Sequence, residues 1–141
     1  MLFNNAQRVS AEQLSQLSLN NAPYITSLSA LPPINEMDSI NLHEMHGLSN
    51  LSGFESLQTA HTINIVGNDN LNSLAHLSSL SEVTELSIHH NALLEGLGLE
   101  NLSVIYGLAI HDNPELCNSL AAPLAEKAQY IRTDISSNKD Y

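Results

Sequence analysis

The hexapeptide LSIHHN, residues 86–91, has counterparts along the whole chain. With Asn91 as anchor, Asn68 lies 23 residues before it, Asn113 lies 22 after it, and Asn138 lies 25 beyond that. Backward steps of 23 reach Met45 and Ala22. The segments ending at these six positions are LSLNNA (17–22), INLHEM (40–45), INIVGN (63–68), LSIHHN (86–91), LAIHDN (108–113) and TDISSN (133–138). Their shared form is apolar-x-apolar-x-x-Asn, with Thr133 as the polar exception at the first position. Residues two apart share one face of a strand, so each unit predicts a short strand with two side chains turned inward.

A second period follows the anchors. Three residues on stand Ile25, Leu48, Leu71, Leu94 and Leu116, and six on stand Leu28, Leu51, Leu74 and Leu97. Leu31, Phe54, Leu77 and Leu99 come next, then Ile34, Leu57, Leu80 and Leu102. Eight residues before the anchors are Leu14, Met37, Ala60, Val83, Ile105 and Tyr130. Leu-x-x-Leu steps fit short 3₁₀-like turns that return an apolar side chain inward every third residue. One such unit cannot bury its own apolar edge, but stacked units bury it against one another. The expectation is a solenoid of α/β class: one parallel sheet of about six short strands, turns on the other sides, and a block roughly 25 Å long at the usual strand spacing. The anchor asparagines Asn68, Asn91, Asn113 and Asn138 are expected to form an inward ladder that satisfies loop backbone. Ala22 and Met45 interrupt that ladder, which predicts a differently turned, apolar loop in the first two units.

The segments VTELSIHHN (83–91) and IYGLAIHDN (105–113) resemble leucine-rich repeats. The apolar residue that follows Asn by three, as in GNDNLNSLAHLSSL (67–80) and HDNPELC (111–117), is closer to the receptor L-domain type of repeat. That resemblance covers about Leu14 to Asn138. It implies a short right-handed β-helix and ligand or protein binding, usually extracellular or at the cell surface, and it carries over no catalytic residue.

A single repeat domain, 1–141, is expected: a cap over 1–13, repeats over 14–113, and a C-terminal cap helix with the last strand over 114–141. NSLAAPLAEKAQY (118–130) predicts the helix, with Asn118 or Ser119 as N-cap and Pro123 in its first turn. Ser10 with Gln13 fits a capping box. Arg132, Asp134, Lys139 and Asp140 place charge beside the final strand, which discourages edge pairing.

Composition narrows the function classes. Four Lys+Arg against 15 Asp+Glu give a net charge of −11, so no basic stripe exists for nucleic acid or an anionic membrane surface. No apolar run reaches the roughly 18 residues of a membrane span, so no membrane insertion is expected, and the N-terminal residues do not read as a signal peptide. The lone Cys117 makes neither an internal disulfide nor a Cys-rich metal motif, and its place beside Leu116 suits a half-buried structural thiol. Phosphate-loop, serine-hydrolase and H-E-x-x-H patterns are missing from the sequence, so no enzyme and no cofactor are expected.

The outward strand positions are the candidate site. They are His43 and Glu44; Asn64; Glu85, Ser87, His89 and His90; and His111 and Asp112, with Ser39, Asn41, Thr62, Val66 and Ala109 around them. His43, His89 and His111 share one column, and the last two stand on adjacent units about 5 Å apart. Imidazole with carboxylate suits zinc or nickel, but two rings bind only if they converge and a third ligand joins. No metal is therefore assigned; His89 and His111 are the candidates if one is held. The plainer reading is a solvated polar sheet face, and His46, His61 and His76 read as surface-loop residues. The expected function is a non-enzymatic module that binds an unknown protein or glycan through this face. The alternatives are a structural or adhesive segment of a larger cell-surface protein and, less economically, a β-helix enzyme acting on polysaccharide.

Overall fold

The computed structural model describes residues 14–128 and 133–140. The strands are β1 (Gln16–Asn20), β2 (Glu36–His43), β3 (Thr59–Val66), β4 (Glu82–His89), β5 (Val104–His111) and β6 (Thr133–Ser136). They form one sheet in chain order, each parallel to the next. The helix α1 (Asn118–Lys127) is the one α-helix among the described residues, and a 3₁₀ turn spans Ala75–Leu77. The architecture is therefore α/β, with a single all-parallel sheet. The capping box at Ser10 and Gln13, the cap over 1–13, Tyr130 and Arg132 lie outside the described residues.

The apolar columns of the sequence are the pairing register. Leu17 pairs with Ile40, Ile40 with Ile63, Ile63 with Leu86, and Leu86 with Leu108. Leu19, Leu42, Ile65, Ile88 and Ile110 form the second row, and all of these side chains are buried. Strands β2 to β5 are eight residues long because a third inward row, Met37, Ala60, Val83 and Ile105, joins the sheet. Three residues rather than two separate Met37 from Ile40, so the alternation slips once within each of these strands. Buried Val, Leu or Ile side chains each contribute about 1.5–3 kcal/mol relative to exposure, and repetition of the rows multiplies that term. Phe54 is the one buried aromatic among the described residues.

The three-residue period has a backbone cause. The N–H of Leu48, Leu71, Leu94 and Leu116 each donates to the carbonyl of the anchor three residues earlier, at 3.0–3.2 Å. Leu31, Leu57, Leu80 and Leu102 repeat the bond to Leu28, Phe54, Leu77 and Leu99. Each turn closes on itself, so its one outgoing side chain points to the core.

A sharper regularity lies one residue before the anchors. Asn21, Glu44, Gly67, His90, Asp112 and Ser137 all have φ between 50° and 70°. This left-handed residue reverses the chain at the strand end and aims the next side chain inward. The interruption expected at Ala22 and Met45 is thereby corrected. Asn21 and Glu44 make the same turn, and their N–H groups donate to His43 and Val66 as Gly67 N–H does to His89. Ala22 and Met45 are buried like the asparagines, so only the side-chain chemistry changes.

The asparagine ladder is directional. Asn68 Oδ1 accepts from Met45 N–H at 2.8 Å, Asn91 Oδ1 from Asn68 N–H at 3.0 Å, Asn113 Oδ1 from Asn91 N–H at 3.1 Å, and Asn138 Oδ1 from Asn113 N–H at 3.0 Å. Their Nδ2 groups donate to Leu42, Ile65, Ile88 and Ile110 carbonyls on the preceding strand. Buried amides need such partners, and here each side chain is satisfied by the neighbouring unit.

The helix departs from its expectation in two details. Cys117, extended at φ −68° and ψ 131°, is the N-cap and makes no side-chain capping bond. Pro123 is the sixth helical residue and so lies in the second turn, and the helix ends at Lys127. Lys127 Nζ donates to the Leu102 carbonyl at 2.9 Å, while Ala121 and Leu124 pack on the core. Cys117 is half-buried and bridges to Lys139 beside the last strand.

Candidate functional site

The parallel register brings the outward side chains of successive strands side by side. Ser39, Thr62, Glu85 and Gly107 form one row; Asn41, Asn64, Ser87 and Ala109 a second; His43, Val66, His89 and His111 a third. Asn64 Nδ2 donates to Asn41 Oδ1 at 2.7 Å, a second and outward amide contact. The Glu85 carboxylate lies over Gly107: a Cβ on that glycine would sit 2.2 Å from Glu85 Oε2. Glu85 therefore bends toward β5, and the missing side chain at Gly107 makes room for it.

The polar groups concentrate where β4 and β5 end. The rings of His89 and His111 stack, with centroids 4.6 Å apart and planes 8° from parallel. His90 sits edge-on to both, at 5.0 Å from His89 and 6.0 Å from His111. His89 Nδ1 and His90 Nδ1 are 2.8 Å apart, so one ring donates and the other accepts. His111 Nδ1 lies 2.7 Å from Asp112 Oδ2, and His90 Nε2 lies 3.7 Å from the same oxygen. The Nδ1 atom of each ring is thus committed within a four-residue cluster.

The electrostatics follow from this packing. Partial burial holds the His89 imidazole below its ordinary 6.5; the neighbouring His111, His90 and His43 push the same way and Asp112 opposes them. Asp112 is held below the ordinary carboxylate value, first by the hydrogen bond from His111 and then by the charge of the nearby imidazoles.

Of the positions read from the sequence, His89, His90, His111 and Asp112 come together. Glu85 and Ser87 belong to the same face on β4, further from the strand end. His43 is separated from His89 by Val66 of the same row and stays exposed. Glu44 lines a shallow groove along the strand-end turns with His46, Gly67, Asp69, His90, Ala92, Asp112 and Pro114. In that groove His46 Nδ1 lies 3.2 Å from Asp69 Oδ2.

His90 is the residue whose part in the cluster the sequence did not announce. It reads as a rim-loop residue, and it does lie just past β4, exposed. Its left-handed backbone, at φ 59°, swings the ring back over the sheet to His89. The available signal was its column, which also holds Asp112 at φ 55°.

No helix among the described residues is long and apolar enough to cross a membrane. The chain matches no protein-family model, no curated protein and no solved structure at a significant level.

Proposed function

We propose that the chain is a non-enzymatic recognition module of solenoid build, similar to leucine-rich-repeat and receptor L-domain proteins, that binds a protein or glycan through the outward face of its sheet. One observation carries this reading. Parallel sheets are usually covered on both faces, whereas here the core covers one face and the other presents rows of exposed and half-buried polar side chains. The rows are rigid, because every strand is locked to its neighbours and the turns are locked by the buried asparagines. Rigid, closely spaced donors and acceptors lose little entropy on binding. An extracellular or cell-surface setting belongs to the same proposal.

Affinity capture from the source's cell envelope and medium tests it, with wild type compared against a Glu85→Ala/His89→Ser/His111→Ser variant. Loss of a confirmed partner in the variant is expected. Undiminished capture of that partner would sink the proposed face. A face that retains no partner at all would favour a structural or adhesive segment instead.

A further inference from the structure

We propose that His89, His90 and His111 form a binding site for a divalent transition-metal ion of the zinc class, with Asp112 as the carboxylate that positions His111. The site goes beyond the recognition reading and needs no partner: zinc affinity is a property of the protein alone.

Three observations converge on it. Each of the three histidines offers a ring nitrogen, and these atoms all lie within 4.8 Å of one another. A tetrahedral site with Zn–N bonds of about 2.0–2.1 Å has its nitrogens about 3.4 Å apart. Closing the gap takes a movement of roughly 1.4 Å at most by that geometry, within reach of side-chain torsions at a half-exposed strand end. His90 is the most open of the three, with 62% of its side chain exposed, so it has the freedom to swing.

The second observation is the His111–Asp112 bond. A metal-ligating imidazole commonly donates its other ring N–H to a carboxylate, which fixes the tautomer and raises ligand basicity. Asp112 Oδ2 takes His111 Nδ1–H at 2.7 Å, which leaves Nε2 as the nitrogen for the ion. The third is the 2.8 Å contact between His89 Nδ1 and His90 Nδ1. One of these nitrogens carries the proton and the other the lone pair, so both can face an ion once the donor ring moves its proton to Nε2; for His90 that nitrogen lies 3.7 Å from Asp112 Oδ2, which can accept it.

Imidazole nitrogens suit zinc, copper and nickel over magnesium or calcium. Three protein ligands leave a fourth position at the surface, open to water or to a donor from a binding partner. The stacked rings of the metal-free protein must splay when the ion enters, which gives binding a spectroscopic signature.

The test is isothermal titration of the chelator-treated protein with zinc chloride. One ion per chain with a dissociation constant well below millimolar is expected. His89→Ser and His111→Ser should each weaken binding at least tenfold, and serine is already accepted in that column at Ser136. His90→Asn removes the third ligand while tolerating the left-handed backbone, and should have a similar effect. Asp112→Asn should weaken binding about 10- to 100-fold and loosen the His111 tautomer preference seen in imidazole ¹⁵N shifts. His61→Ser is the control and should change nothing. In wild-type protein, zinc should shift the ring protons of His89, His90 and His111 and spare those of His61, which needs no variant to fold. A millimolar or weaker constant overturns the proposal. Tight binding that survives the combined loss of all three histidines overturns it equally, as do ring shifts confined to other histidines.

Discussion

Asn113 Oδ1 lies 3.1 Å from both the main-chain nitrogen and the side-chain Nδ2 of Asn91. One oxygen therefore completes both the backbone and the side chain of the preceding anchor. Asn91 in turn accepts from Asn68 and donates to the Ile65 carbonyl. All of these groups are buried, so no water replaces a missing member.

Asn91→Ala orphans the Asn68 N–H and takes the amide donor from the Ile65 carbonyl, which remains in the β3–β4 ladder. An unsatisfied buried group costs about 1–3 kcal/mol, so a loss on the order of 2 kcal/mol is expected in urea unfolding. Asn138→Ala should cost less, because Asn138 is only half-buried and water can reach the groups it leaves. Equal losses at the two positions would refute the burial argument.

The left-handed column stores strain that glycine would relieve. Glu44 adopts φ 51° on an exposed turn, and Gly67 holds the equivalent place one unit later. An L-residue in this conformation is disfavoured by roughly 1–2 kcal/mol. Glu44→Gly should raise the melting temperature by a few degrees, on the scale of about 1 kcal/mol. Gly67→Val should lower it, since a β-branched residue fits that region worst. A fall in melting temperature for Glu44→Gly would show that its side chain matters more than its backbone.

Two glycines close together in the chain should respond oppositely to alanine. Gly98 combines φ 67° with a Cβ position only 2.6 Å from Ala75 Cα, which is backbone and cannot step aside. Gly98→Ala should destabilise the protein by roughly 2–5 kcal/mol, the sum of left-handed strain and overpacking. A Cβ on Gly96 would lie 3.5 Å from Ser73 Oγ, an ordinary contact. Gly96→Ala should be neutral or stabilising by under about 1 kcal/mol. Thermal unfolding of the pair decides the matter, and similar behaviour would discredit it.

Glu55 supplies a pH dependence outside the cluster of His89, His90 and His111. Its carboxylate is held below the ordinary 4.5 by its own backbone N–H first and then by that of Gly53, with help from the Ser52 hydroxyl. A carboxyl with a lowered folded-state value stabilises the fold above its unfolded value near 4.5 and loses that contribution as pH falls through the folded value. Carbon-detected NMR titration should place the Glu55 midpoint below 4.5. Glu55→Gln should flatten the corresponding part of the stability–pH curve. A midpoint at or above 4.5 would contradict the hydrogen-bonded turn.

The sheet was legible because two apolar periods and one amide do most of the specifying. Leu86, Ile88 and Asn91 announce a strand and its exit, and the same spacing recurs with little variation. The turn before the anchor was not legible, because its residues are Asn, Glu, Gly, His, Asp and Ser. Their common property is a backbone angle, and side-chain type does not encode it at this position. That angle also decides where His90 points, so the cluster was read as a pair plus a rim residue. The bend of Glu85 over Gly107 was hidden for a related reason: it depends on which strand lies next door. The N-cap at Cys117 lacks a side-chain bond, so no capping signal marked it.

The ladder also has a temporal meaning. The N–H groups of Met45, Asn68, Asn91 and Asn113 are each met by an oxygen from the following anchor, never from the preceding one. A chain emerging from the ribosome therefore carries one open amide at its newest anchor until the next unit is synthesised. Met45 waits for Asn68, and Asn113 waits for Asn138 across α1. Biosynthesis and the closing of the ladder run in the same direction, so a stalled nascent chain leaves its latest anchor N–H open together with the donors of its newest strand edge, while the asparagine-capped anchors before it are already sealed.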